Sequence, residues 1–272
     1  MTVHPLVVRA SSLTGYPDCP RRWAARHLAP EVKAQGYDLH HCPTSVGAVV
    51  GTATHAGATT LLTAKMRFGV ATKGDQSEAV DRGETALHEE VAQTDCLWDA
   101  TTASYPVAQS QVARQIRVYA DKALPALNPI AVEERLDAAF SPEITLSGQV
   151  DLAEDSVVDD LKTGTTQRAN HAQYGAYALL RRSHGFVIEH IKETFVQRVS
   201  LKKTQPDPVL TTHPVATCEQ AALAVLKAIE RDVLAFRGSK DPWAFLPNPG
   251  STLCSPTYCP AHGAAWCLAH HH

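Results

Sequence analysis

One short stretch of this chain has the residues to hold a hard cation against a phosphate. Ser147-Gly148-Gln149-Val150-Asp151 is followed by Val157-Val158-Asp159-Asp160-Leu161-Lys162-Thr163-Gly164. Read as two adjacent strands joined by a tight turn, the segment puts Asp151 near the end of one strand. Asp160 and Lys162 project from one face of the next, because strand side chains repeat every two residues. Mg2+ is typically held by one or two carboxylates plus substrate phosphate. A lysine beside it can orient or deprotonate a water, or neutralise charge at the attacked phosphorus. The plain alternative is a solvated turn Asp and a surface ion pair. Val157, Val158 and Leu161 weigh against it by making the second strand a buried one, where Asp and Lys need a reason. Asp159 points to the other face, as a supporting or exposed group. Glu133 and Glu134, on the strand before Asp151, could support the site, and neither is assigned to it.

The cysteines form a second set. There are seven. Cys19 stands near the start, before Pro20, while Cys254, Cys259 and Cys267 crowd the far end. Four thiolates suit tetrahedral zinc or an iron–sulfur cluster, and buried reduced thiols are the structural alternative. Three thiols in Pro- and Gly-containing coil fit that alternative poorly. A ligated metal would tie the two ends of the chain together.

The surrounding pattern must position these groups. Ser11-Ser12 can cap a helix towards Leu28, disturbed by Pro17 and Pro20. Residues 46–66, 77–91 and 108–124 read as helices. The period then shortens. Residues 130–140, 144–152 and 156–161 alternate and predict an antiparallel meander. Residues 169–182 return to helix, 186–199 read as a strand and 217–236 as a final helix. This order fits one α/β domain with a mixed sheet.

The segments Gly148-x-x-Asp151 and Asp160-x-Lys162-Thr163-Gly164 resemble the signature of the PD-(D/E)XK nucleases, in the RecB-like branch that includes Cas4-like and AddB-type exonucleases. Further matches lie in the expected order. Gly51-Thr-Ala-Thr-His55 resembles the helical element whose histidine is a metal ligand, Gln173-Tyr-Gly-Ala-Tyr177 resembles the helix after the lysine strand, and Cys19-Pro20-Arg21-Arg22 resembles the amino-terminal Cys-Pro element. The resemblance implies a restriction-endonuclease-like core with a mixed central sheet flanked by helices, an amino-terminal helical region and a carboxyl-terminal Cys-rich staple. It implies catalytic Asp151, Asp160, Lys162, Gln173 and Tyr177, with His55, Asp151 and Asp160 holding Mg2+ or Mn2+. It also implies a [4Fe-4S] cluster on Cys19, Cys254, Cys259 and Cys267, with zinc as the alternative because the gaps depart from the tighter Cys-x-x-Cys of many relatives. The whole of 1–272 would be one nuclease domain. Its helical region would span 11–128, its core 129–237 and its Cys-rich segment 238–267, with 270–272 a possible tag remnant.

The chain has 272 residues, 44% of them hydrophobic, with 25 basic and 28 acidic groups and a net charge of −3. That excludes wholesale disorder and a nonspecific polycation, though not a local basic channel. Arg21, Arg22, Arg181 and Arg182 are the candidate phosphate contacts. No long apolar run predicts a membrane span. The start lacks a secretory layout, so a cytoplasmic protein is expected. No Walker A, Gly-x-Gly-x-x-Gly or Gly-x-Ser-x-Gly motif is present. The expected function is metal-dependent DNA exonuclease, with DNA single strands or free ends as substrate and possible recombination or CRISPR adaptation partners. The alternative is a noncatalytic DNA-end-binding or recombination-partner protein on the same fold.

Overall fold

The computed structural model describes residues 5–267, so the possible tag at 270–272 lies outside it. The chain opens with a strand absent from the sequence reading, β1 (Leu6–Arg9), followed by a 3-10 turn over Ala10–Gly15. The helix expected up to Leu28 begins only at α1 (Pro20–His27). Pro20 tolerates the first turn, where its missing N–H is no loss, and Cys19 caps it with Sγ accepting from the Arg22 N–H at 3.4 Å. After α2 (Ala29–Ala34) and a short β2 (Thr44–Ser45) come α3 (Val46–Phe68) and α4 (Lys73–Gln93). A capping box of Thr72 and Asp75 starts α4 ahead of the expected residue 77. The strand β3 (Cys96–Leu97) pairs with β2, and α5 (Tyr105–Val118) runs into a π turn over Tyr119–Ala123.

The predicted meander is β4 (Ala131–Ala139), β5 (Ile144–Ala153) and β6 (Val157–Gly164), antiparallel throughout. It is followed by α6 (His171–Ser183), β7 (His190–Gln197), β8 (Val209–His213) and α7 (Val215–Ser239). The sheet runs β1-β5-β6-β7-β8 with β4 also on β5. It is mixed: β1 lies parallel to β5 and β6 parallel to β7.

Helices cover both faces. One core packs α1, α6 and α7 against the sheet, and the other packs α3, α4 and α5 against the opposite face. The crossing of α6 on α7 requires Gly175, where a Cβ would stand 1.9 Å from the Cys218 carbonyl oxygen. Among the described residues no helix is long and apolar enough to cross a membrane.

Candidate metal centre and catalytic lysine

The site lies where the sheet opens. β4 pairs with β5 along its length, so β1 and β6 share the other edge of β5. β1 reaches Ser147, and β6 pairs only at Leu152 and Ala153. The edge between, residues 148–151, is left to side-chain chemistry. The alternation of β5 also breaks there. Val150 packs into one core and Leu152 into the other, although residues two apart normally share a face. Opposite Asp151 in the register stands Glu133, with φ at 52°, a left-handed conformation rare for a side-chain-bearing residue. This local reversal brings both carboxylates towards α3.

His55 on α3 meets them. Its Nδ1 is 3.5 Å from Asp151 Oδ2, and one ligand atom each from His55, Glu133 and Asp151 lies within 4.8 Å of the others. The close approach depends on Gly51, one helical turn earlier, where a Cβ would stand 2.9 Å from Thr163 Oγ1 of β6. Glu133 is held by Thr59 Oγ1 at 3.0 Å and Gln149 Nε2 at 2.6 Å. Asp151 also accepts from the Leu161 N–H at 2.9 Å. Burial opposes protonation of His55, but Asp151 and Asp160 together raise its pKa above the ordinary value. Burial likewise opposes ionisation of Asp151, yet His55, Lys162 and the Leu161 N–H hold its pKa below the usual range.

Asp160 and Lys162 share a face of β6, as expected, with Lys162 Nζ 2.6 Å from Asp160 Oδ2. That Oδ2 is buried and has no aligned hydrogen-bond donor despite the contact. Burial pushes the Asp160 pKa up to about 7; Lys162 opposes the shift and the Asp151 charge adds to it. Gln173 on α6 organises the pair. Its Oε1 accepts from Lys162 Nζ at 3.1 Å, its Nε2 donates to Tyr177 Oη at 2.8 Å, and Nε2 lies 3.4 Å from Asp160 Oδ1. Gly148 lets Tyr177 close on β5, since a Cβ there would meet the ring at 3.1 Å. Asp159 does face the other way, but it is buried rather than exposed, accepting from Thr194 Oγ1 at 3.2 Å.

The donor set suits a divalent cation. One imidazole, the half-buried carboxylates of Glu133 and Asp151, and buried Asp160 with its orphaned oxygen match the nitrogen and oxygen ligation that Mn2+ accepts and the carboxylate ligation of Mg2+. A bound cation would also relieve the mutual repulsion of Asp151 and Asp160. Glu133 is the member that sequence reasoning did not assign. Its signal, an acid facing the Asp151 position across a predicted hairpin, was present but lacked the backbone reversal that aims it. Tyr174 and Glu193 were missed altogether. The Tyr174 hydroxyl bonds buried Glu193, and Lys162 Nζ sits 5.9 Å above the Tyr174 ring.

The four distant cysteines line one cavity: Cys19 at the start of α1 and Cys254, Cys259 and Cys267 from the closing coil. Burial pushes the Cys259 thiol up to about 11, and the other three add to the shift. Thiols that oppose one another's ionisation become thiolates together only with a cation among them, so the donor chemistry fits a cysteine-ligated metal.

Three of the four candidate phosphate arginines are inside the protein, which corrects that expectation. Arg21 is 1% exposed and donates to the Phe245 and Trp266 carbonyls at 2.7 and 2.5 Å. Arg22 is bound by Asp18 and Ser251, clamping the Cys-rich coil to α1. Arg181 is buried against Glu134 and the Phe186 ring. Arg182 is occupied by Glu219 at 2.6 Å and the Ile188 carbonyl. Asp18 is only four residues from Arg22, but the other partners, Phe245, Trp266, Ser251, Glu134 and Glu219, come from segments that the local sequence does not reveal. Two cavities instead flank the centre, meeting at Gln149: one along α3 with Arg67 and Arg82, one over β4 and β5 with Arg9 and Arg135.

A family model described as the PD-(D/E)XK nuclease superfamily matches residues 9–267. The crystal structure of a protein named "Putative exonuclease" from Eubacterium rectale superposes with a TM-score of 0.61 at 10% identity, covering 93% of this chain and 87% of that one. LHK-Exo, solved in complex with dAMP, covers 70% of this chain and 96% of its own at 10% identity, with a TM-score of 0.32 too low to carry an argument. A comparison with curated proteins found no match. With nearly the whole sequence matched and the acidic–lysine cluster assembled where the sheet opens, the chain belongs to the PD-(D/E)XK nuclease superfamily.

Proposed function

We propose that this nuclease is a Mg2+- or Mn2+-dependent DNA exonuclease of the RecB-like, Cas4-like (AddB-type) branch, one domain with a [4Fe-4S] staple. It would act in the cytoplasm on single strands or free ends, in recombination, repair, or CRISPR or phage DNA processing. The observation that carries the reading is the convergence of His55, Glu133, Asp151, Asp160 and Lys162 at the opened edge of β5. The intact cluster weighs against a noncatalytic end-binding role.

His55, Glu133, Asp151 and Asp160 would hold the hydrolytic cation. When bound, it supplies positive charge at the phosphodiester and acidifies a coordinated water. Lys162 has three N–H groups; Gln173 takes one and Asp160 lies against the amine, leaving donor capacity for the attacking water or a phosphate oxygen. Gln173 and Tyr177 fix the lysine's direction rather than contribute charge. Cys19, Cys254, Cys259 and Cys267 would hold the cluster as a tie between the chain's ends, remote from hydrolysis.

A linear single strand and a closed circle of the same sequence test the reading in Mg2+, Mn2+ and EDTA. Loss of the linear form alone, and only with metal, is expected. Equal loss of both refutes exonuclease action, and loss in EDTA refutes metal dependence. Brown colour with about four irons per chain supports the cluster, and colourless protein with stoichiometric zinc replaces it.

A further inference from the structure

The face of the sheet beside the metal centre continues beyond the cover of α3. On β5, Gln149 and Ser147 share a face; on β4, Arg135 stands opposite Gln149 and Asp137 opposite Ser147; on β1, Arg9 is in register with Ser147. Their neighbours Val8, Leu136 and Leu146 point the other way, into the core of α6 and α7. This builds rungs in sequence: Glu133 with Asp151, then Arg135 with Gln149, then Arg9 with Ser147 and Asp137. Successive rungs are two residues apart, ~6.6 Å along the strands. Gln149 links the first to the second through its 2.6 Å bond to Glu133.

Arg9 and Arg135 are exposed and line one concave pocket with Ser11, Ser147 and Tyr177. Every arginine ion pair among the described residues lies elsewhere. Two guanidinium forks without ion-pair partners, flanked by hydroxyls and stepping away from a cation site, match successive phosphodiesters of an extended strand.

We infer that Arg135 and Arg9 form a two-rung phosphate track for the strand being cut. Arg135 takes the phosphate next to the metal centre and Arg9 the following one. The inference rests on the nuclease reading and names the substrate contacts of that site. Asp137 shares the rung of Arg9, so Arg135 carries the larger effect.

The test is salt-dependent binding of a fluorescent single strand in EDTA, measured for wild type, Arg9→Gln, Arg135→Gln and the double variant. Lys227→Gln, exposed on α7, is the control. Each neutralised phosphate contact contributes about 0.7 to the log–log salt slope of a single strand, which is about eight-fold in affinity at 50 mM salt. The double variant is expected to lose about 1.4 from the slope, with the control and the thermal midpoints unchanged. A substrate carrying one neutral methylphosphonate beside the scissile linkage should slow wild type but not further slow Arg135→Gln. An unchanged slope in the double variant, or an undiminished methylphosphonate penalty in Arg135→Gln, overturns the track. Cleavage with an unchanged slope removes the track alone. A lowered slope without any cleavage in Mg2+ or Mn2+ removes the nuclease reading and leaves the track.

Discussion

Replacing Asp160 by Asn separates what this carboxylate costs the fold from what it contributes to metal binding. Asp160 is 1% exposed, and its pKa stands at about 7 because burial disfavours the charge more than Lys162 restores it. The unfolded chain releases the same proton at about pH 4. Between these values the unfolded state binds fewer protons than the folded one. Stability is therefore full below about pH 4, falls as pH rises, and the loss is complete above the folded pKa. A rise of about three units is roughly 4 kcal/mol at ~1.36 kcal/mol per unit. The opposing shift at Asp151 and the lost Lys162 contact offset part of this, so Asp160→Asn is expected to be more stable than wild type at pH 7.5 in EDTA. That gain should shrink towards pH 4. Mn2+ should reverse the order. Wild type gains about 2.7 kcal/mol at a hundred-fold excess over Kd, and the variant, with a neutral ligand, gains little. Urea unfolding followed by tryptophan fluorescence reads both effects. A variant less stable than wild type in EDTA at pH 7.5, or one gaining as much from Mn2+, refutes the reasoning.

Lys162→Ala should lower kcat by ~100-fold or more while Mn2+ binding persists, if the amine serves water and phosphate as proposed rather than the metal; calorimetric Mn2+ titration beside single-turnover kinetics checks this. Glu133→Gln should weaken Mn2+ binding about ten-fold or more, because it removes a negative charge beside the cation, and the same titration measures it. Serine at Cys19, Cys254, Cys259 or Cys267 should lower the thermal midpoint and metal content together, whereas Cys96→Ser should change neither. Gly175→Ala should destabilise the fold by about 3 kcal/mol in denaturant titration, because α6 and α7 must separate to admit the methyl group.

The chemistry of this fold was legible where it depends on local spacing. Asp160 and Lys162 are two residues apart on a buried strand, and Gln173 and Tyr177 one turn apart on a helix, so periodicity alone put each pair on one face. The long helices and the meander followed from the same periods. Glu133 escaped because its orientation depends on a left-handed backbone at one residue and a broken alternation opposite it, neither of which leaves a compositional mark. The strand β1 escaped because four residues gain their structure from pairing with β5, more than a hundred positions away. The arginines misled for a related reason. Their number and location were visible, but Arg21 and Arg181 are capped or neutralised by partners distant in sequence, and Arg22 by nearby Asp18 together with distant Ser251. Arg9 and Arg135, well separated in the chain, share a pocket only through the sheet register.

On the proposed reading, this carboxylate–histidine–lysine cluster hydrolyses phosphodiester bonds with a divalent cation. The most direct measurement is the Mn2+-dependent degradation rate of a linear single strand by wild type and Asp160→Asn, alongside the affinity of each for that strand in EDTA. Rapid loss of the strand is expected with wild type, with at least a thousand-fold slower loss in the variant and similar binding by both. Equal degradation by the two proteins, or none by wild type in either Mg2+ or Mn2+, contradicts that reading.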